Sequence, residues 1–246
     1  MIPKKIHYIW FGQKEKPKHI KKCIESFKIL GYEIYEWNEH NYDVNKSIFL
    51  KETYKNKIWG FLSDYVRLDV LYNIGGIYID ADVMVKKKIP DELLDTDVLM
   101  GFQFDCLIGT HFIGAKKNSA FIKYFLDRYH NYKLGENLIV NNTIFNDFYL
   151  KNIKDFKLNG KNQVLDFKGD KISLYNKNYF ACPKIIGNGY AYHLLDNSWR
   201  KKKYRKIKDL FKLIFGDKVY YNLLAYKALK ISPYYEKYKK AIKDEL

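Results

Sequence analysis

The hydrophobic pattern changes period several times along the chain. Ile6-His7-Tyr8-Ile9-Trp10-Phe11 is a short apolar run stopped by Gly12, as in a buried strand entering a turn. Ile20, Ile24, Phe27 and Leu30 then recur at helical spacing, which predicts a helix over residues 18–30 closed by Gly31. Residues 32–37 read as a second strand, and 47–55 and 59–74 as helices. In the last of these, Phe61, Leu62, Tyr65, Leu68 and Leu71 or Tyr72 hold one apolar stripe. Gly75-Gly76 ends it, and Ile77-Tyr78-Ile79 opens a buried strand running into Asp80-Ala81-Asp82. Residues 98–104 and 110–115 are further strand candidates, and 119–132 a helix. Strands alternating with helices imply an α/β fold with a mostly parallel sheet. Such sheets bind ligands at the carboxyl ends of their strands, where the strand order switches.

From about Trp199 the pattern shifts. A basic run, Arg200 to Lys206, leads into Ile207, Leu210, Phe211 and Ile214, a narrow apolar stripe beside a basic face. A second helical stretch over about 219–229 is rich in Tyr and Leu, and Ser232-Pro233 breaks it before a charged end. The expected organisation is one α/β domain over 1–199 and a basic, amphipathic helical extension over 200–246.

Charge sharpens this division. Of the net +16, residues 200–246 carry +10 and the first 199 residues only +6. Forty of the 44 basic residues are Lys; the four Arg are Arg67, Arg128, Arg200 and Arg205. Base-reading proteins favour the bidentate Arg fork, whereas a Lys-rich surface suits solubility or diffuse attraction to anionic surfaces. Cys23, Cys106 and Cys182 are far apart and odd in number. That disfavours a disulfide framework or a thiolate zinc site and points to a reducing, cytoplasmic setting. No apolar run approaches the ~18 residues of a membrane span, and the N-terminus does not read as a signal peptide.

The candidate chemistry lies in Ser63-Asp64-Tyr65-Val66-Arg67 and in Gly75-Gly76-Ile77-Tyr78-Ile79-Asp80-Ala81-Asp82. On an extended chain, residues two apart share a side, so Asp80 and Asp82 can offer two hard oxygen ligands where a buried strand ends. Mg²⁺ and Mn²⁺ are held by one or two carboxylates, with phosphate oxygens completing the shell. A second Asp-x-Asp, Asp95-Thr96-Asp97, follows Pro90-Asp91-Glu92 and reads as a solvated turn. Asp64 and Arg67 are three apart and share a helix face, so spacing alone suggests a surface ion pair.

These blocks, together with Ile2-Pro3-Lys4-Lys5-Ile6-His7-Tyr8-Ile9-Trp10-Phe11-Gly12, resemble glycosyltransferase family 32. That family includes capsular-polysaccharide glycosyltransferases and the initiating α-mannosyltransferases of the Golgi. The blocks are also similar to the sugar-transfer domain of large glucosylating bacterial toxins. Tyr192-His193-Leu194-Leu195-Asp196-Asn197-Ser198-Trp199 resembles the closing segment of such enzymes, so the likeness spans about residues 2–199. It implies a GT-A fold, Rossmann-like, binding a nucleoside-diphosphate sugar through Mn²⁺ or Mg²⁺. Trp10 would stack on the base, although a core Trp on a buried strand is the alternative. Asp64 and Arg67 would contact the donor sugar and its phosphate, with Tyr78 nearby. Asp80 would bind ribose and sugar and assist the metal; Asp82 would ligate it directly; His193 is a candidate further ligand, with a structural His as the alternative. Ser198 and Trp199 would meet the diphosphate. The sequence departs from the family near Val140 to Phe145, which lacks a Pro found in many relatives. It departs again at Leu194 to Asn197, so the role of Asp196 stays open, and Asn188 and Gln103 have no assigned place.

The implied reaction is metal-dependent transfer of a sugar, with retention at the anomeric carbon, to a hydroxyl of a capsule, O-antigen or similar surface-glycan precursor. Lipid-linked acceptors are among those expected, and the basic tail suggests an anionic membrane surface at the inner face as a meeting place. The rivals are a protein-glucosylating toxin-like transferase, a metal-dependent nuclease or phosphatase, and, from the net charge, a nucleic-acid-binding protein. The scarcity of Arg argues against specific nucleic-acid recognition.

Overall fold

A computed structural model describes residues 1–130, 141–182, 189–195 and 205–245. In chain order the elements are β1 (Lys5–Ile9), α1 (Lys18–Ser26), β2 (Glu33–Trp37), α2 (Ile48–Lys55), α3 (Trp59–Ile74), β3 (Gly76–Ile79), β4 (Val83–Val85), α4 (Asp91–Leu94), β5 (Val98–Phe104), β6 (Leu107–Ala115), α5 (Ala120–His130), α6 (Asn141–Asn152), β7 (Gln163–Phe167), β8 (Asp170–Tyr175), α7 (Lys177–Phe180), β9 (Ala191–His193), α8 (Arg205–Ile231) and α9 (Tyr235–Lys243). Every strand and helix expected before residue 131 is present. A 3₁₀ turn over Phe27–Leu30 completes the first helix, and Gly31 closes it with φ 70°.

Seven strands form one sheet in the order β2-β1-β3-β6-β5-β8-β7, with β4 and β9 as a separate ribbon. β1 pairs in parallel with both β2 and β3, and β5 with β8. β6 enters antiparallel between β3 and β5, and β7 is antiparallel to β8. The chain leaves β1 to one side for β2 and returns on its other side as β3. This reversal puts a switch point between the carboxyl ends of β1 and β3, which are Trp10 and Asp80.

Strand alternation sorts the side chains into two cores. Ile77 and Ile79 face Ile6, Leu99 and Phe112 on one side of the sheet; Tyr78 joins Leu62, Val66 and Ile113 on the other. α3 lies on that second side, against β1, β3 and β6, with α2 and α5 around it. This explains its composition. The helix is enclosed, so even Asp64, Arg67 and Asp69 are buried, and the surface ion pair suggested by spacing is an interior one.

The Gly75-Gly76 turn is a tight crossing of backbone. Both glycines have positive φ, 74° and 118°. A Cβ on Gly75 would lie 2.7 Å from Lys117 N, and one on Gly76 2.7 Å from the Lys5 carbonyl. His7 secures the turn from below. Trp37 Nε1 donates to His7 Nδ1 (3.2 Å), so Nε2 carries the proton and donates to the Gly75 carbonyl (2.9 Å). Burial, only partly countered by that bond, holds the His7 pKa down and keeps the ring neutral.

Two readings of the sequence change here. Asp95-Thr96-Asp97 is not a solvated turn: only Asp95 is exposed. Thr96 is buried and its hydroxyl donates to the Lys171 carbonyl, while Asp97 accepts from Lys171 N (2.9 Å) and pairs with Lys116 (3.0 Å). The motif ties β5 to β8 because both are sheet neighbours there. The β7–β8 hairpin drew no expectation from the sequence; its turn residues Lys168 and Gly169 have φ 52° and 82°, a two-residue reversal of the primed kind. The apolar stripe expected over 207–214 falls largely on side chains outside the described residues.

Gly76→Ala should destabilise the chain by about 2 kcal/mol or more, since φ and the Lys5 carbonyl both oppose it. Urea unfolding compared with Gly31→Ala, whose Cβ meets nothing within 4 Å, isolates the crowding from the φ effect; equal losses would show that the crossing does not matter.

Candidate active site

The site is built on the helix and strand that meet at the Gly75-Gly76 turn. Asp80 has the parity of Tyr78 and so emerges on the α3 side of the sheet. Tyr78 is buried beneath it, and its hydroxyl donates to Asp80 Oδ1 (2.5 Å). Arg67 reaches up from α3. Its guanidinium lies over the Tyr78 ring, 4.5 Å from the centroid, 3.0 Å from Asp64 Oδ1 and 3.6 Å from Asp80 Oδ1. Nη1 also donates to the Thr110 carbonyl (2.6 Å) and Nε to that of Ser63 (3.2 Å). Two carboxylates, a phenol and two carbonyls thus surround one buried cation.

Burial opposes the charge on Arg67, but Tyr78, Asp80 and Asp64 outweigh it and raise its pKa further above the ordinary value. Asp64 is pushed up to about 6, first by burial, then against Arg67, with the Asp80 charge adding to the rise. Burial sends the Tyr78 phenol well above its ordinary value, which keeps it a donor to Asp80.

Asp80 and Asp82 do not sit on an extended strand. β3 ends at Ile79, and Val83 N donates to the Asp80 carbonyl (2.9 Å), so the pair occupies a turn. What aligns them is β9. It pairs antiparallel with β4, placing Val83 opposite His193, and Leu194 N donates to the Asp82 carbonyl (2.9 Å). His193 Nε2 comes to 3.0 Å from Asp82 Oδ1 and 4.0 Å from Asp80 Oδ2. Burial lowers the His193 pKa, but the Asp82 charge and hydrogen bond, with Asp80, raise it overall. Among the described residues, Asp80, Asp82 and His193 form the one group of three whose ligand atoms lie within 4.8 Å of one another. Two carboxylates and an imidazole nitrogen suit a divalent cation of the Mn²⁺ or Mg²⁺ kind.

Residues 12–100 match the glycosyltransferase sugar-binding region containing the DXD motif. This chain thus carries a sugar-binding region of the DXD glycosyltransferase kind over that segment. Asp80-Ala81-Asp82 lies within the matched segment. The chain is similar to Subversion of eukaryotic traffic protein A of Legionella pneumophila, 28% identical over 120 residues. That alignment covers 37% of this chain and 19% of the relative, so the chain spans about a fifth of that protein's length. Two solved structures are also similar. The PaToxG glycosyltransferase has a TM-score of 0.47 at 19% identity, over 61% of this chain and 69% of that one. A glycosyltransferase involved in the glycosylation of the major capsid of PBCV-1 has a TM-score of 0.45 at 11% identity, over 77% and 93%.

Asp64, Arg67, Tyr78, Asp80, Asp82 and His193 form one connected cluster. Trp10 stands apart from it at the carboxyl end of β1. It is half-buried rather than a core Trp, and its Nε1 donates to the Lys14 carbonyl (2.8 Å). It lines a surface cleft of about 330 Å³ with Lys14, Lys16, Glu36, Asn38 and His40. Ser198, Trp199, Asp196 and Asn188 lie outside the described residues. Gln103, unplaced by the sequence, accepts from the Asn142 amide, and Asn142 Oδ1 accepts from the Thr110 hydroxyl (2.7 Å), next to the carbonyl that holds Arg67.

His111 drew no notice from the sequence. Its ring stacks on His193 (centroids 4.6 Å, planes 20° apart), and its carbonyl accepts from Asp80 N (2.9 Å). Burial, then the neighbouring His193, holds its pKa well below the ordinary value. A polar Thr110-His111 pair inside the apolar run of β6 was the available signal.

Asp64 yields a pH prediction. Its folded value of about 6 lies above the ordinary 3.8, so the folded chain holds a proton that the unfolded chain has lost. The stability from neutral Asp64 is complete below pH 3.8 and is lost as pH rises to about 6. Asp64→Asn keeps the neutral shape. Its stability relative to wild type should therefore rise across that interval, by roughly 1–3 kcal/mol. Urea titrations of both proteins, metal-free, below and above the interval measure this; parallel curves would contradict it.

Proposed function

We propose that the chain transfers one sugar from a nucleoside-diphosphate sugar to a hydroxyl of a surface-glycan precursor, with a divalent cation held at Asp80, Asp82 and His193. The observation that carries this reading is the convergence of those three groups at the carboxyl end of β3, although His193 lies 111 residues after Asp82. It is supported by the sugar-binding region matched over 12–100, and by the Trp10 cleft at the neighbouring strand end.

Asp82 and His193 would be direct ligands, with Asp80 shared between the cation and the donor's ribose or sugar. When bound, the cation supplies positive charge to a diphosphate leaving group. Trp10 offers a face for the nucleotide base. Arg67 spends three of its N–H groups on Asp64, Thr110 and Ser63, so its proposed part is first to fix Asp64 and Asp80 and to lend the site fixed positive potential. Asp64 and Tyr78 keep that charge in place. The resemblance to family 32 implies retention. The sugar's bond to the leaving phosphate breaks, a bond to the acceptor oxygen forms on the same face, and the acceptor proton passes to a phosphate oxygen. A linear product with inverted linkage would overturn that path.

The expected outcome of incubating the chain with Mn²⁺ and a panel of UDP- and GDP-sugars is slow release of nucleoside diphosphate from one donor. Asp82→Asn and EDTA should each abolish it, with Asp82→Asn lowering the rate at least 100-fold. Absence of turnover together with absence of Mn²⁺-dependent nucleotide binding by calorimetry would overturn the assignment.

An anionic membrane is the proposed meeting place with the acceptor. Among the described residues no helix is long and apolar enough to cross a membrane. After Gly216, α8 buries Tyr221, Ala225 and Leu229, yet the opposite face exposes Val219, Leu223 and Tyr226, with Lys227 and Lys230 beside them. An apolar stripe edged by Lys suits adsorption at an anionic interface. Full-length protein should float with vesicles containing phosphatidylglycerol, and Leu223→Glu should reduce flotation several-fold; equal flotation removes the idea.

A further inference from the structure

We propose that α8 completes the active site: Tyr221 is a positioning residue that holds His193 in place through the backbone of Leu194. The inference rests on the reading of His193 as a metal ligand and extends it to a residue beyond the DXD domain expected from the sequence.

β9 has little to hold it. It is three residues long, and among the described residues it pairs only with the equally short β4. Ribbons of this size are marginal by themselves. The chain also leaves β9 at an unfavourable angle, because Leu195 has φ 51°, a left-handed conformation that a branched residue rarely adopts. His193 therefore depends on contacts from outside the ribbon. His193 N donates to the Ala181 carbonyl and Leu194 N to that of Asp82, 2.9 Å each. The Leu194 carbonyl accepts from the Tyr221 hydroxyl at 3.0 Å. Leu194 is thus held between the DXD turn and α8.

The tail is shaped for this contact. Tyr221 is 1% exposed, and its ring lies 5.9 Å from that of Tyr192 in β9. Burial raises its phenol far above the ordinary range, so it remains a donor. Its oxygen accepts from Lys212 Nζ (2.7 Å), which also pairs with Asp217 (3.2 Å). In an unbroken helix, residues nine apart lie about 13 Å along the axis and could not meet so closely. Gly216, with φ 78° and ψ 159°, breaks α8 between them and folds Lys212 back onto Tyr221. The kink, the Lys and the Tyr together present one polarised hydroxyl to the residue after His193.

Tyr221→Phe removes the hydroxyl and keeps the ring. In the full-length chain it should speed amide hydrogen exchange over 189–195 by about tenfold and leave β1 and β3 unchanged. Mn²⁺ affinity, read by calorimetry, should fall about tenfold, the scale of losses when a partner of a metal ligand is removed. In a His193→Ala background the same change should cost no further affinity. Unchanged exchange over 189–195 overturns the proposal, and so does an undiminished further loss in the His193→Ala background. If wild type takes up no Mn²⁺, the metal assignment fails on its own, and the exchange measurement alone decides whether Tyr221 holds β9.

Discussion

The buried guanidinium of Arg67 is the point on which the site depends. Taking an ion out of water costs several kcal/mol, and the interior returns this only where geometry and hydrogen bonds are near complete. Here Asp64, Asp80 and the Tyr78 ring meet the charge, and Asp64 with two backbone carbonyls takes three of its N–H groups. The arrangement constrains both parent elements. α3 must keep the register that brings Asp64 and Arg67 to one face, and β3 the parity that sets Tyr78 and Asp80 toward them.

That constraint explains features that look unrelated. The Gly75-Gly76 turn lets α3 pass into β3 in so few residues that helix and strand side chains can meet. His7, in a different block of sequence, serves the same junction by closing the Gly75 carbonyl. The switch between β1 and β3 then places Trp10, with its cleft, and the Asp80–Asp82 turn at the same end of the sheet. Loop residues there can meet a ligand while the charge beneath them stays dry.

The distal half of the cluster follows a different logic. His193 arrives on a short ribbon stabilised by its neighbours, with His111 stacked on one side and the α8 Tyr221 reaching the next residue. The Arg67 half, by contrast, is held by side chains of α3 and β3 themselves. After Gly216, α8 therefore has one buried face, carrying Tyr221, and one exposed face, carrying Leu223 and Tyr226.

Local chemistry made much of this legible. Apolar periodicity, the stops at Gly12, Gly31 and Gly75-Gly76, and the run from Ser63 to Asp82 marked most strands and helices of the first 130 residues, though not β4 or α4, and the cluster's members on α3 and β3, because those signals act between residues close in the chain. Tertiary structure decided the rest. Spacing could not tell that Asp64 and Arg67 face inward, since burial depends on what packs over α3. Nor could it show that Asp97 stitches two strands, that His111 backs His193, or that Tyr221 reaches Leu194. Each depends on a partner dozens of residues away, and only the folded sheet and the kink at Gly216 set those distances.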